Sequence, residues 1–227
     1  SFDLFNVLGG TPDVGGVWTD GQGDTVSNIF DPFVQSSETF TYTLSGSVIC
    51  PDKSATVEVT VNVTPDAGND SSIVVCNSDG DFQMTIKLGG PPDIGGYWID
   101  ENGDPAGNYF DPSTQTSGNF YYIVTGSYPC LNDTAMLTII INILPYAGID
   151  DDTTVCNSGG SSFDMFGVLD GTPDVGGIWT DGQGNTVSNI FDPFVQSSDT
   201  FTYTLSGGGI CPDQSSGVPV TVNSISY

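Results

Sequence analysis

The chain has 227 residues, with 28 Asp plus Glu against 2 Lys plus Arg and no His, a formal net charge of -26 at pH 7. That balance excludes nucleic acid and anionic membrane surfaces as partners, because both are bound through basic side chains. Charge of one sign on this scale repels itself and weakens a fold unless salt or bound cations offset it. No run of 18 apolar residues occurs, so no membrane-spanning helix is expected. The chain does not open on a basic segment followed by an apolar one, so any signal peptide is expected outside it, and "SFDLF" reads as the inside of a longer repeat array.

The first periodic element is TPDVGGVWTDGQGDTVSNIFDP, from Thr11 to Pro32. It returns as PPDIGGYWIDENGDPAGNYFDP from Pro91 to Pro112 and as TPDVGGIWTDGQGNTVSNIFDP from Thr172 to Pro193. Trp18, Trp98 and Trp179 are 80 and 81 residues apart, and Cys50, Cys130 and Cys211 keep the same spacing. A period of 80 is too long for a solenoid unit and comfortable for a small self-contained domain. Three repeats are therefore expected, at 1–64, 65–144 and 145–227, the first without its N-terminal strand region.

Within the first repeat, "TFTYTLSG" alternates Phe40 and Tyr42 with threonines, and "ATVEVTVNV" places Val57, Val59, Val61 and Val63 on one side. In the middle repeat "SIVVC", "FQMTIKL", "YWI", "NYF", "NFYYIVTG" and "TAMLTIIINI" read as strands separated by Gly, Asn and Asp turns. In "FQMTIKL", Phe82, Met84 and Ile86 are expected to alternate with polar partners. No 3.6-residue periodicity is present, so no long helix is expected. Six to seven short antiparallel strands per repeat predict an all-β chain of tandem immunoglobulin-like β-sandwiches. Trp18, Trp98 and Trp179 are expected as the structural core of each. The joints, "TPDAGND" near 64–70 and "LPYAGIDDD" near 144–152, are short and contain proline, which predicts an extended rod.

The cysteines divide as Cys76 and Cys130 in the middle repeat and Cys156 and Cys211 in the third, with Cys50 alone in the first. One disulfide per domain, Cys76 to Cys130 and Cys156 to Cys211, is the economical framework. Pairing across the joints, Cys50 to Cys76 and Cys130 to Cys156, is the rival. Either implies an oxidising, extracellular setting. The absence of CxxC spacing or His argues against a metal role for these thiols.

Two sets of carboxylates are candidates for Ca2+, which is a candidate ligand and not a required cofactor. The stronger is at the joints: Asp66, Asn69 and Asp70, then Asp150, Asp151 and Asp152. The weaker is in the hairpin turns, with Asp20 and Asp24 in the first repeat and Asp100, Asn102 and Asp104 in the middle one. Alternating oxygen ligands on a tight turn resemble the start of an EF-hand loop, but its glycine and distal glutamate are missing, and a plain hairpin explains Asp-Gly and Asn-Gly equally well. Asp13, Asp93 and Asp174 of PD-x-GG, and Asp31, Asp111 and Asp192 of FDP, read as turn formers. Nothing supports catalysis: there is no His, no nucleophile elbow and no P-loop. Lys53 and Lys87 occupy unrelated repeat positions, which argues against Lys–Asn isopeptide bonds.

The combined pattern GGTPDxGGxWTDGxG…FDP…FTYTLSG…CPD…VTVNxxPDAG resembles the tandem domains of giant cell-surface adhesins of gliding Bacteroidetes, the SprB-like mobile adhesins and related proteins. The resemblance covers essentially the whole chain. It implies type IX secretion, a place on the outer cell surface, and a role in adhesion or gliding. Two function classes follow. One is a non-catalytic stalk or filament whose partners are neighbouring repeats of the same long protein. The other is direct carbohydrate recognition on a substratum or surface polysaccharide, through Tyr97, Tyr109, Tyr121 and Tyr128. Exposure of several aromatics on one face would favour the second. From Gly9 to Gly46 and Asp170 to Gly207 only four of 38 positions differ, as suits a spacer lengthened by duplication.

Overall fold

The computed structural model describes residues 1–158 and 160–224. The chain forms two compact units, residues 1–65 with 125–132, and residues 66–124 with 133–227.

In the first unit the four-stranded sheet runs Thr25–Val26, Val17–Thr19, Glu38–Leu44, Lys53–Val59, and Phe2–Asp3 pairs separately with Ile29–Phe30. The alternation of "TFTYTL" turns Phe40 and Tyr42 inward, onto Leu4, Trp18 and Phe30, while Thr39 is exposed. Val57 is buried and Val59 and Val61 pack on the same core, whereas Val63 lies beyond the strand and is exposed.

The second unit holds two cores, one per repeat. In the middle repeat the sheet order is Pro105–Ala106, Tyr97–Asp100, Gly118–Val124, Asp133–Asn142, Ser71–Cys76, with Phe82–Gln83 and Tyr109–Phe110 as a separate ladder. The third repeats this with Thr186–Val187, Ile178–Thr180, Asp199–Leu205, Gln214–Asn223 and Thr153–Cys156, beside Phe163–Asp164 and Ile190–Phe191. The strand count among the described residues is therefore six in the first repeat and seven in each of the others.

Two expectations need correction. The strands are not all antiparallel: Ser71–Cys76 runs parallel to Asp133–Asn142, and Thr153–Cys156 parallel to Gln214–Asn223. The joint delivers the chain to the start of the long strand, where Ala67 N–H donates to Asp133 Oδ2 (2.7 Å) and Met136 N–H to Asp70 Oδ1 (2.8 Å), so the next strand runs the same way. Nor is "FQMTIKL" one strand. After Gln83 it turns into a 3-10 helix, Met84–Lys87. The turn puts Met84 and Leu88 in the core and leaves Ile86 outside, where alternation would have buried Ile86 with Phe82. In the other repeats an aspartate starts this turn: Asp3 Oδ1 accepts Phe5 N–H and Asp164 Oδ1 accepts Phe166 N–H, both at 2.9 Å.

The tryptophans are the centre of each core. Trp18, Trp98 and Trp179 are 5%, 1% and 5% exposed, and each lies on a tyrosine, with ring centroids 5.1 Å (Tyr42), 5.2 Å (Tyr122) and 5.2 Å (Tyr203) apart. Trp98 Nε1–H is buried without an acceptor, so this indole stabilises by packing alone.

Candidate functional site

A tyrosine hydroxyl locks the PD-x-GG turn in every repeat. Tyr42 Oη accepts from Gly16 N–H (2.7 Å) and donates to Asp13 O (2.9 Å). Tyr122 does the same with Gly96 and Asp93, and Tyr203 with Gly177 and Asp174. Only glycine fits: a Cβ at Gly16, Gly96 or Gly177 would come within 2.6 Å of its tyrosine ring. The locked turn in turn holds the joint. Asp93 Oδ2 accepts Asp66 N–H (2.9 Å), and Asp93 N–H donates to Asp66 O (2.7 Å). Asp174 and Tyr146 make the same pair of bonds at 2.9 and 2.8 Å. Behind this clamp Ala67 and Ala147 are buried in the cores of the repeats they precede, so "P-x-A-G" is a docked segment, not a free linker.

The junction between the middle and third repeats is covalent. Cys76 and Cys211 form a disulfide with Cα atoms 5.0 Å apart and a sequence separation of 135. This overturns both sequence pairings: Cys50, Cys130 and Cys156 are free. The reason lies in the sheet. Cys156 is registered opposite Asn223, the last residue of the ten-residue strand Gln214–Asn223, whereas Cys211 precedes that strand's first residue. At about 3.3 Å per residue the two cysteines of one repeat sit at opposite ends of a strand about 30 Å long. Cys76 likewise sits opposite Asn142, at the far end of Asp133–Asn142, while Cys130 comes before that strand. What reaches the Cys76 end is the 206–213 loop of the next repeat, whose Cys211 Sγ is also 3.4 Å from Asn142 O. The first unit holds the matching half-contact. Cys130 Sγ lies 3.5 Å from Asn62 O, and Asn62 Nδ2 donates to Tyr128 O at 2.7 Å.

The joint aspartates act as backbone acceptors. Asp66 Oδ1 takes Gly68 N–H, Asp70 Oδ1 takes Met136 N–H, Asp150 Oδ1 takes Gly217 N–H (2.7 Å), and Asp151 Oδ1 takes Asp152 N–H. Asn69 forms a backbone bridge with Gly89. Among the described residues no three His, Cys, Asp or Glu side chains gather as a metal site requires. In the hairpins the first aspartate folds back on its own turn. Asp20 Oδ1 accepts the N–H of Gln22 and Asp24, and Asp100 Oδ1 those of Asn102 and Asp104. The Asp104 N–H in particular holds the Asp100 carboxyl below its ordinary value, and the Asn185 amide does the same for Asp181. Asp111 is lowered by the Ser113 hydroxyl.

A shallow groove recurs beside the PD-x-GG turn, with volumes of about 540, 560 and 510 Å³ in the three repeats. Phe5, Trp18, Asn28 and Tyr42 line it in the first repeat and Phe166, Trp179, Asn189 and Tyr203 in the third. In the middle repeat Thr85 replaces the phenylalanine. Of the aromatics singled out for sugar binding, Tyr97, Tyr109 and Tyr128 are exposed and Tyr121 is half-buried. Their counterparts in the first repeat are Val17, Ile29, Val48 and Thr41, so the set belongs to the middle repeat alone.

Sequence reasoning missed the buried alanines of the joints, the tyrosine hydroxyl lock, the asparagines Asn142 and Asn223 that end their strands, and Asn62, three residues past its own. All recur at the repeat spacing, which is the signal that marks them.

No family model matches the chain, and no curated protein matches it in sequence. Among solved structures it is similar to the three-Ig titin fragment I67–I69, in an E-to-A mutated variant, with TM-score 0.53 and 12% identity over 92% of this chain and 88% of that one. An I-band fragment of the same titin domains gives TM-score 0.53 and 12% identity over 93% and 84%. The likeness is one of fold: this is a chain of tandem immunoglobulin-like sandwiches.

Proposed function

We propose that these non-catalytic repeats form part of the stalk or filament of a bacterial cell-surface adhesin, exported by the type IX route and acting in adhesion or gliding at the outer surface. The motif resemblance supports the setting. The observation that carries the mechanical role is the Cys76–Cys211 bond across a junction. Tension applied at the chain ends passes from Cys76 directly to Cys211, so residues 77–210 lie outside the force path. The joint itself is held by hydrogen bonds, which the disulfide backs with a covalent connection. This reading does not require calcium: Asp66, Asp70, Asp150 and Asp151 each accept a backbone N–H at the joints.

Pulling the chain from its termini tests this. Reduction should release about 450 Å of additional contour, the length of the enclosed segment at full extension. Equal contour lengths before and after reduction would refute the role. Carbohydrate recognition is the second reading, favoured only by the exposed tyrosines of the middle repeat. Retention on polysaccharide that is lost in Tyr97→Ala/Tyr109→Ala would support it, and no retention would end it.

A further inference from the structure

The groove beside the PD-x-GG turn recurs in every repeat, but its wall in the first and third repeats differs from that in the middle one. In those two an acid and a phenyl ring stand two residues apart, Asp3 with Phe5 and Asp164 with Phe166, and all four line the groove. One hydrogen bond sets both. The carboxylate that accepts Phe5 N–H or Phe166 N–H, at 2.9 Å in each case, also starts the 3-10 turn that carries the ring. A tyrosine then fixes that ring. Phe5 meets Tyr42 edge to face at 5.4 Å and 84°, and Phe166 meets Tyr203 at 5.3 Å and 85°. The tyrosines are buried and the phenylalanines half-buried, so the phenyl ring is the one open to solvent.

The polar atoms beside that ring are acceptors without a cation. Asp164 Oδ1 takes Phe166 N–H and Asn189 Nδ2–H, both at 2.9 Å, which leaves Asp164 Oδ2 and the Asn189 side-chain carbonyl to accept from a ligand. The two cations of the chain, Lys53 and Lys87, line neither groove. An anion would meet a carboxylate on a chain of net charge -26, and a neutral ligand would leave that carboxylate uncompensated. The middle repeat supplies the contrast. Gln83 stands in place of the acid and Thr85 in place of the ring, and its 3-10 turn starts without a side-chain cap. The acid that does line the middle groove is Asp93, whose carboxylate accepts Asp66 N–H at the joint. The turn and the groove therefore form without the acid–ring pair, and the needs of folding do not explain its presence in the other two repeats.

We propose that the grooves of the first and third repeats each bind an arginine side chain presented by a partner polypeptide. The guanidinium lies on the Phe5 or Phe166 ring and donates N–H to the carboxylate of Asp3 or Asp164. Arginine suits this wall better than lysine. A guanidinium is planar and weakly hydrated, so its face stacks on an aromatic ring while its edge donates to a carboxylate. An ammonium is a compact, strongly hydrated charge that gives up more water to enter. A second copy of this chain has no arginine to offer, so the occupant is a different polypeptide. The groove lies apart from the Cys76–Cys211 bond and from the tyrosines Tyr97 and Tyr109, so the inference stands independently of both the load-bearing and the carbohydrate readings.

The probes are the blocked tripeptides Gly-Arg-Gly and Gly-Lys-Gly, which carry equal charge, titrated into the full chain while its amide NMR shifts are followed. Salt of about 150 mM shortens the screening length to about 8 Å and mutes attraction to the acidic surface at large. The expected result is saturable shifts at Phe5, Asn28, Phe166 and Asn189, with Thr85 and Asn108 unmoved. The arginine peptide should bind with a dissociation constant at least about threefold below that of the lysine peptide. The variant Asp3→Gln/Phe5→Thr/Asp164→Gln/Phe166→Thr installs the residues with which the middle repeat already folds, and it should abolish the saturable shifts. Glu58→Gln/Glu101→Gln removes two exposed carboxylates elsewhere and should leave both the shifts and the preference for arginine in place. Equal binding of the two peptides, shifts spread over the acidic surface, or binding retained in the four-residue variant would overturn the proposal.

Discussion

Breaking the Cys76–Cys211 bond should cost stability, and its position sets how much. When both enclosed repeats unfold, the bond closes a loop with a sequence separation of 135 in the unfolded chain. The chain-entropy relation assigns such a loop about 5 kcal/mol at 25 °C. When the third repeat unfolds alone, the bond still anchors Cys211 beside Asn142, and the residues between them form a closed loop worth about 4 kcal/mol. The two limits are close because the entropy depends on the logarithm of loop length. Measured disulfides often give less than this model, so the expected loss for Cys76→Ser or Cys211→Ser is about 2–5 kcal/mol, a fall in Tm of about 5–15 °C. Chemical denaturation of the parent and of the variants Cys76→Ser, Cys211→Ser, Cys130→Ser and Cys156→Ser is the assay. The first two should fall together and match the reduced parent, while Cys130→Ser and Cys156→Ser stay with the oxidised parent. A large loss in Cys130→Ser, or recovery of a Cys76–Cys130 peptide on non-reducing mapping, would refute the junction pairing and restore the intradomain one.

Three further predictions follow from single contacts. Tyr203→Phe leaves Gly177 N–H and Asp174 O without their shared partner and should cost about 1–3 kcal/mol in the melting of the third repeat; Gly177→Ala, which drives a Cβ into the Tyr203 ring, should cost at least as much. The folded-state carboxyls of Asp100, Asp111 and Asp181 are lowered below the ordinary value of 3.8, so they contribute stability above that value and lose it as pH falls through their folded values; in Asp100→Asn/Asp111→Asn/Asp181→Asn the acid limb below about pH 4 should be shallower. Asp70→Asn and Asp150→Asn weaken the acceptors of Met136 and Gly217 N–H and should lower Tm by the same amount in Ca2+ as in NaCl of matched ionic strength, whereas a loss confined to Ca2+ would place a cation at the joints.

Much of the fold is legible because the chain states it three times. The alternation of Phe40 with Tyr42 and of Phe201 with Tyr203 identifies an inward face, and the spaced tryptophans mark the centre of each core. For Asp20 and Asp100, weighed as weak Ca2+ candidates against a plain hairpin, the hairpin bonds are local and span no more than four residues. Two features were not legible, one long-range and one local. The parallel edge strand depends on where the joint delivers Ser71, and that is decided by Asp70 and Asp133, residues 66 positions from their partners Met136 and Ala67. The 3-10 turn at Met84–Lys87 was hidden because strand alternation and a single tight turn both place Met84 inside and differ only at Ile86.

The disulfide error has the most instructive cause. Counting cysteines per repeat assumes that a repeat is closed on itself, and by that count two per domain must pair. Strand direction removes the assumption. Cys76 and Cys156 end strands that run parallel to the last strand of their own repeat, so each emerges where the chain is leaving for the next. Cys50, Cys130 and Cys211 lie in hairpin loops that precede that last strand, at the end where the chain has just entered. The middle and third repeats therefore each offer one cysteine forward and one backward, and the shortest covalent path runs between neighbours. Near-identical duplication then preserves the junction along with the fold, because every added copy brings both halves of the next bond. A staple within one repeat would stabilise that repeat alone, whereas the Cys76–Cys211 bond couples the middle repeat to the third, so that unfolding of either is felt by both.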